Sequence, residues 1–381
     1  MIKEGKFGFL EAFALVTIMV ITKIFYTSPF AIIKELGTAA WYGTLISCLT
    51  SLLFFGLVYL LLKRFPGKDL YQVFEAVLGS KLGKTLILIF AVYFLYYAGV
   101  NIREFIGILK VYSKPLTPAE ILAAALLLVA IALAYVGLEG IARTAYIFFY
   151  LIIGGLLIII FLAIPAYELD YLKPWLGYGL DKTVLIGILR SSAYDEIIIL
   201  GIIINSLHGL KNFKRIGVAC LIFIGLTFSI CLACILAAFQ YTVASEHLSG
   251  MFQLSRIIYY SRFFQRVEAI FLFIWVFASV ITVSLAFYIA LSSYCRAFKI
   301  NNHRPLLLPF AFLAFTVTFW PDNIAQVLEI HVKIIRQYSF LILYLLPLLV
   351  LAWSLITGKK GGKASGKAQN DKKTGDAGQS S

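Results

Sequence analysis

Apolar residues run through this chain in long blocks. Ten blocks approach the roughly 20 residues that a helix needs to cross a bilayer. They are Phe7–Leu36, Ala40–Leu62, Leu86–Leu109, Pro118–Val136, Ala142–Ile164, Thr183–Ser206, Ile216–Val243, Val267–Tyr294, Pro305–Trp320 and Gln337–Thr357. A membrane barrel would instead show short segments of alternating polarity. The pattern therefore predicts an all-α integral membrane fold of ten transmembrane helices. The first block is too long and the ninth short, so nine or eleven crossings stay open.

Two blocks are interrupted. The first contains Thr22-Lys23 and then Thr27-Ser28-Pro29. Proline has no N–H to donate and clashes with the preceding turn, so an unbroken helix is disfavoured there. The sixth contains Arg190-Ser191-Ser192 and then Asp195-Glu196 within an apolar run. Broken helices at corresponding places in two halves point to a five-plus-five inverted repeat, a LeuT-like transporter fold with spans 1 and 6 interrupted and its site at the breaks. No residue-level repeat is visible between the halves.

Between the second and third blocks, Leu70, Val73, Phe74, Val77 and Leu78 form one helical stripe flanked by charges. The stripe predicts an interfacial helix. Met251–Phe264 is a second candidate, as a lid, a re-entrant helix or a packed loop.

Composition removes whole classes of function. Hydrophobic residues make up 61% of the 381 and charged residues 14%, and mean hydropathy is +0.92. A water-soluble enzyme is excluded, since soluble chains carry about 25% charge. The net charge of +14 is not a nucleic-acid signal here. With the N-terminus inside, 20 Lys and Arg fall on the inner face and 10 on the outer, while Lys23, Arg103 and Arg190 lie within spans. That bias predicts a multi-pass protein with both termini cytoplasmic. The start is not expected to be a cleaved signal, because Glu11 interrupts its apolar run and no small-residue cleavage site follows. Residues 1–357 are expected to form the membrane domain and 358–381 a disordered basic cytoplasmic tail.

Ionisable groups at membrane depth cost several kcal/mol, about 2.5–3.5 each on insertion scales, unless paired or wet. Glu11, Lys23, Arg190, Asp195 and Glu196 therefore become candidates for ion pairing or proton coupling. On a straight helix Lys23 and Glu11 lie about 120° apart, and Arg190 and Asp195 about 140°. Contact between spans follows, with Lys23 approaching Asp195 or Glu196 across the breaks. The alternative places Arg190 and Asp195 at helix ends facing trapped water. The third block carries a polar ridge of Tyr93, Tyr97, Asn101 and Glu104. The eighth carries Trp275, Ser279, Thr282 and Ala286 at helical spacing. Small members of that row suit close packing or leave room for a small ligand. The five cysteines, including Cys231-x-x-Cys234, lie in or beside apolar runs and read as packing residues. Four scattered histidines give no metal-spaced cluster, so no metal and no cofactor are expected.

Several segments together resemble the spore germination receptor B-subunit family, a branch of the amino acid–polyamine–organocation superfamily. They are Thr27-Ser28-Pro29-Phe30 with Gly37-Thr38-Ala39-Ala40-Trp41, Lys63-Arg64-Phe65-Pro66 with Leu78-Gly79, Tyr194-Asp195-Glu196-Ile197-Ile198, and the region from Gln253-Leu254-Ser255-Arg256 to Trp275. The Arg256–Trp275 region is the most specific. The resemblance implies a ten-helix LeuT-like fold in the spore inner membrane or cell membrane. It implies a subunit that senses a small-molecule germinant, expected to be an amino acid, beside A-type and C-type receptor partners. It places the pocket at Thr22-Lys23-Ile24 and Ser191-Ser192-Ala193, with Tyr97 and Ser279 close by; Asn101 and Thr282, from the two helix rows, are further ligand-binding candidates. Half-helix amides there would hold a germinant carboxylate. Lys23 departs from the small residues such a site suits: it either supplies a cation or fills the space. A proton-coupled amino acid or small-amine transporter is the alternative function. The partners expected are the germinant, the bilayer and the receptor subunits, with no nucleic acid.

Overall fold

The computed structural model describes residues 5–261 and 264–361. Except for one short hairpin, the described elements are helical. Seven helices among the described residues are long and apolar enough to cross a membrane, so the chain is a multi-pass membrane protein. The first predicted block is two helices, α1 (Phe9–Phe25) and α2 (Ser28–Leu36). The chain leaves helical geometry at Tyr26, and Pro29 sits in the first turn of α2, where a missing N–H costs nothing. A 3-10 turn leads into α3 (Ala40–Arg64).

α4 (Leu70–Leu78) begins at Asp69 with a reciprocal capping box to Gln72. Its stripe does not face lipid. Leu70, Val73, Phe74 and Val77 are fully buried, packed against α5 (Ser80–Tyr112). Gly83 permits this, because a β-carbon there would stand 2.7 Å from the Glu75 Cα. α6 (Ala119–Val136) and α7 (Leu138–Leu162) follow, with apolar outer faces left exposed.

The sixth block is irregular throughout. α8 (Leu180–Leu189) gives way to a nine-residue 3-10 stretch, Arg190–Ile198, before one turn of helix, α9 (Ile199–Ile202). Then come α10 (Leu210–Ala238), the short α11 (Tyr241–Ala244) and α12 (Gly250–Arg256). The Met251–Phe264 segment forms most of α12 and then the antiparallel ribbon β1 (Tyr259–Ser261) and β2 (Phe264–Gln265). Arg262 and Phe263 lie outside the described residues. α13 (Glu268–Ala297) packs against α1, α5, α6 and α7 at the centre. α14 (Leu307–Phe319) is short, as its block predicted.

The last helix starts earlier than its apolar block. It runs from Ile324 to Ile356, through α15 (Ile324–Gln326), a wide π-helical segment at Val327–Arg336, a turn at residues 337–339, a second π segment at Leu341–Leu345, and α16 (Leu346–Ile356). His331 and Arg336, counted as loop residues from polarity, are buried within it. The first residues of the expected tail make contacts with the membrane domain. Lys359 donates to the Val77 carbonyl at 2.7 Å, and Arg64 Nε donates to the Lys359 carbonyl at 2.8 Å. The rest of that tail, from 362, lies outside the described residues.

Candidate functional site

The two irregular segments meet. Lys23, in the last turn of α1, directs Nζ into the 3-10 stretch and contacts Glu196 Oε2 at 2.5 Å, with both side chains 1% exposed. The same ammonium donates to the Ala193 carbonyl at 2.9 Å and the Ser192 carbonyl at 3.4 Å. All three ammonium protons therefore have acceptors. The 3-10 stretch supplies those carbonyls because its tighter winding does not hold them in an α-helical ladder. Asp195, the neighbour of Glu196, does not share Lys23. It accepts from the Ser339 hydroxyl, on the last helix between the two wide segments.

A second buried ion pair lies beside the first. Arg336 Nη2 donates to Glu104 Oε2 at 2.5 Å, the two side chains being 7% and 0% exposed. The other oxygen of Glu104 accepts from the Thr27 N–H at 3.0 Å and from the Thr27 hydroxyl at 2.5 Å. Thr27 is the N-cap of α2. The carboxylate thus sits on the positive end of that helix, where negative charge is favoured. Arg336 also donates to Ser28 Oγ at 3.2 Å and contacts His331 Nε2 at 3.1 Å. A guanidinium cannot accept, so His331 Nε2 is the acceptor and the ring proton lies on Nδ1.

The small residues of α13 close the other side. Thr282 donates to Thr22 at 2.9 Å, and Thr22 donates to the Ile18 carbonyl at 2.6 Å. Tyr26 donates to Ser279 at 2.9 Å, and its ring meets Trp275 edge-on with centroids 5.9 Å apart. Asn101 donates to the Tyr97 carbonyl one turn earlier at 2.6 Å. Several buried polar atoms have no partner among the described residues. These are Tyr97 OH, Asn101 Oδ1, Asp195 Oδ1, Glu196 Oε1 and Trp275 Nε1. Such groups are costly unless something hydrogen-bonds them.

Of the residues picked from sequence, Lys23, Glu196, Ser192 and Ala193 are in direct contact, and Thr22 with Thr282 adjoins them. Ser191 offers its carbonyl to Ser51 at 2.9 Å. Ile24 and Ser192 line a small cavity beside the break. Arg190 does not pair with Asp195. It reaches back to Glu35 near the end of α2, Nε to Oε2 at 2.7 Å. Glu11 does not join the cluster either, because it occupies the first turn of α1, about 18 Å along the axis from Lys23. Polarity alone missed Arg336, His331 and Ser339. The signal was present as Arg336 and Ser339 three apart, just before an apolar run.

The family profile described as "Spore germination protein" matches residues 7–327 of this chain. Spore germination protein KB of Bacillus subtilis (strain 168) is 23% identical over 338 residues, covering 87% of this chain and 90% of that protein. Spore germination protein A2 of the same organism is 24% identical over 338 residues, covering 85% and 88%. Among solved structures, the substrate-bound outward-open state of a Na+-coupled sialic acid symporter is similar. Its TM-score is 0.57 at 12% identity, covering 89% of this chain and 79% of that one. That likeness places the helices in a transporter-like fold.

Proposed function

The chain belongs to the spore germination protein family, and we propose that it is a germinant receptor subunit. It binds a small germinant, an amino acid, within the membrane and signals germination through A-type and C-type partner subunits. In this reading the polypeptide crosses the membrane ten times as a LeuT-like five-plus-five inverted repeat, with spans 1 and 6 interrupted. It lies in the spore inner membrane or cell membrane with both termini cytoplasmic.

One observation carries the reading. The Lys23–Glu196 pair joins two irregular segments in the buried centre, amid polar atoms without partners among the described residues. A ligand that satisfies those atoms favours whichever arrangement of the segments presents them, and a ligand shifts an equilibrium only by such differential contact. Thr22, Lys23, Ile24, Ser191, Ser192 and Ala193 form the two edges of this site, with Tyr97, Asn101, Ser279 and Thr282 facing them. Deleting the chain in a spore-former should abolish germination to one class of germinant while sporulation proceeds. Unchanged germination across a full germinant panel would refute the proposal.

A transporter reading has one observation in its favour. Asp195 is a buried carboxyl that accepts from the Ser339 hydroxyl and does not share the Lys23 ammonium, which suits an acid that takes up and releases a proton. Uptake of labelled amino acids by the reconstituted chain, driven by a pH gradient and lost in Asp195→Asn, would support that reading over a pure sensor.

A further inference from the structure

A small cavity of about 30 Å³ lies on the α2 side of the Lys23–Glu196 pair, lined by residues of α2, α3, α10, the 3-10 stretch and the last helix. Arg190 and Arg336 both line it, as do Ser28, Thr44, Ser47 and Ser192. The two arginines are 9% and 6% exposed. Each gives one face to a carboxylate: Arg190 Nε to Glu35, and Arg336 Nη2 to Glu104. Each also keeps a buried nitrogen, Arg190 Nη2 and Arg336 Nε, with no acceptor among the described residues.

We propose that this cavity is an anion site, in which a small monoanion, a carboxylate group or a halide, bridges Arg190 and Arg336. A guanidinium only donates, so its occupant must accept from both sides. Ser28 already accepts from Arg336 at 3.2 Å, which leaves its own hydroxyl proton to donate into the same space. A water molecule fits less well, because it brings protons of its own. The volume holds one or two water-sized groups, which matches a carboxylate head or a single ion and excludes a larger body. The helix end that would otherwise capture a carboxylate, the start of α2, is capped by Glu104. At this cavity the two arginines thus offer an incoming anion charged donors, with the Ser28 hydroxyl beside them.

The cavity shares Ile24, Ser192 and Ala193 with the proposed germinant site, but its test reads anion binding alone. The full chain in nanodiscs is titrated with sodium formate and, separately, with sodium chloride. Bulky methanesulfonate holds the ionic strength fixed, and thermal unfolding is followed. A saturable rise in Tm with either anion is expected, and the anion acting at the lower concentration identifies the occupant. Arg190→Gln should weaken the response about 10- to 100-fold, as expected for a charged hydrogen-bond donor removed. Glu35→Gln removes a competing carboxylate and should preserve or strengthen it. No saturable rise with either anion in the wild type or in Glu35→Gln overturns the proposal, as does a response unchanged in Arg190→Gln. A chain that binds formate but no amino acid keeps the anion site and counts against the receptor reading; the converse result does the opposite.

Discussion

Lys23 and Glu196 stand 173 residues apart in sequence and 2.5 Å apart in the structure. With Arg190 and Glu35, they are one of two ionic links among the described residues between the first broken block and the 3-10 stretch of the sixth, and the more deeply buried of the two. Removing one partner of a buried pair leaves an uncompensated charge, at about 3–5 kcal/mol. Lys23→Met and Glu196→Gln should each lower stability by about that much. The double variant should recover most of the loss, because neither charge is then stranded. A double-mutant cycle on thermal unfolding in detergent reads the coupling. Additive losses would mean that the two residues do not act as a pair.

Glu104 has two tasks, as counter-ion to Arg336 and as cap on α2. Glu104→Gln should therefore cost more than a cap alone, about 3–5 kcal/mol against about 1 kcal/mol for a lost cap. Glu104→Gln with Arg336→Met should restore stability only in part, since the Thr27 N–H still lacks its carboxylate. Hydrogen exchange at the first turn of α2 checks this: the amides there should stay faster than wild type even in the double variant.

Asp195→Asn keeps an acceptor for the Ser339 hydroxyl, so the fold should hold within about 1 kcal/mol. Any pH-gradient-driven uptake should disappear. Ser339→Ala strips the carboxyl of that hydroxyl and should cost about 1–3 kcal/mol. Paired unfolding and uptake measurements on both variants separate the structural role from the proton-carrying one.

These contrasts show what could be read from the chain. Pro29 after Thr27-Ser28, and five polar or charged residues within Arg190–Glu196, mark the irregular segments because such residues interrupt long apolar runs for few other reasons. That Lys23 takes Glu196 and not Asp195 was not legible. Successive residues on a 3-10 turn point about 120° apart, so the choice depends on how the segment is rotated. Arg336 was lost for a different reason. Charge in a membrane chain is read as loop, yet its partner Glu104 lies 232 residues away and makes burial possible. The stripe of α4 was legible as a helix face, but amphipathicity does not say whether protein or lipid covers it.

The burial of α4 rests on Gly83, whose added β-carbon would press on the Glu75 backbone at 2.7 and 2.8 Å. Gly83→Val should lift α4 from α5 and cost about 1–3 kcal/mol as overpacking. Limited proteolysis should then cut near Leu70–Leu78, where the wild type resists. Equal resistance would mean that α4 is held elsewhere, by the Lys359 contact at its C-terminal end.

Tyr97 separates ligand binding at the breaks from stability of the fold. Its hydroxyl is buried without a partner among the described residues, so Tyr97→Phe removes nothing that the free protein uses and should leave Tm unchanged. A ligand seated at the breaks would use that hydroxyl. The measurement is equilibrium binding of the twenty L-amino acids to the purified chain in nanodiscs, wild type against Tyr97→Phe. The account predicts that at least one binds saturably and that the variant binds it about tenfold more weakly at unchanged Tm. No saturable binding by the wild type, or binding that Tyr97→Phe leaves intact, would contradict it.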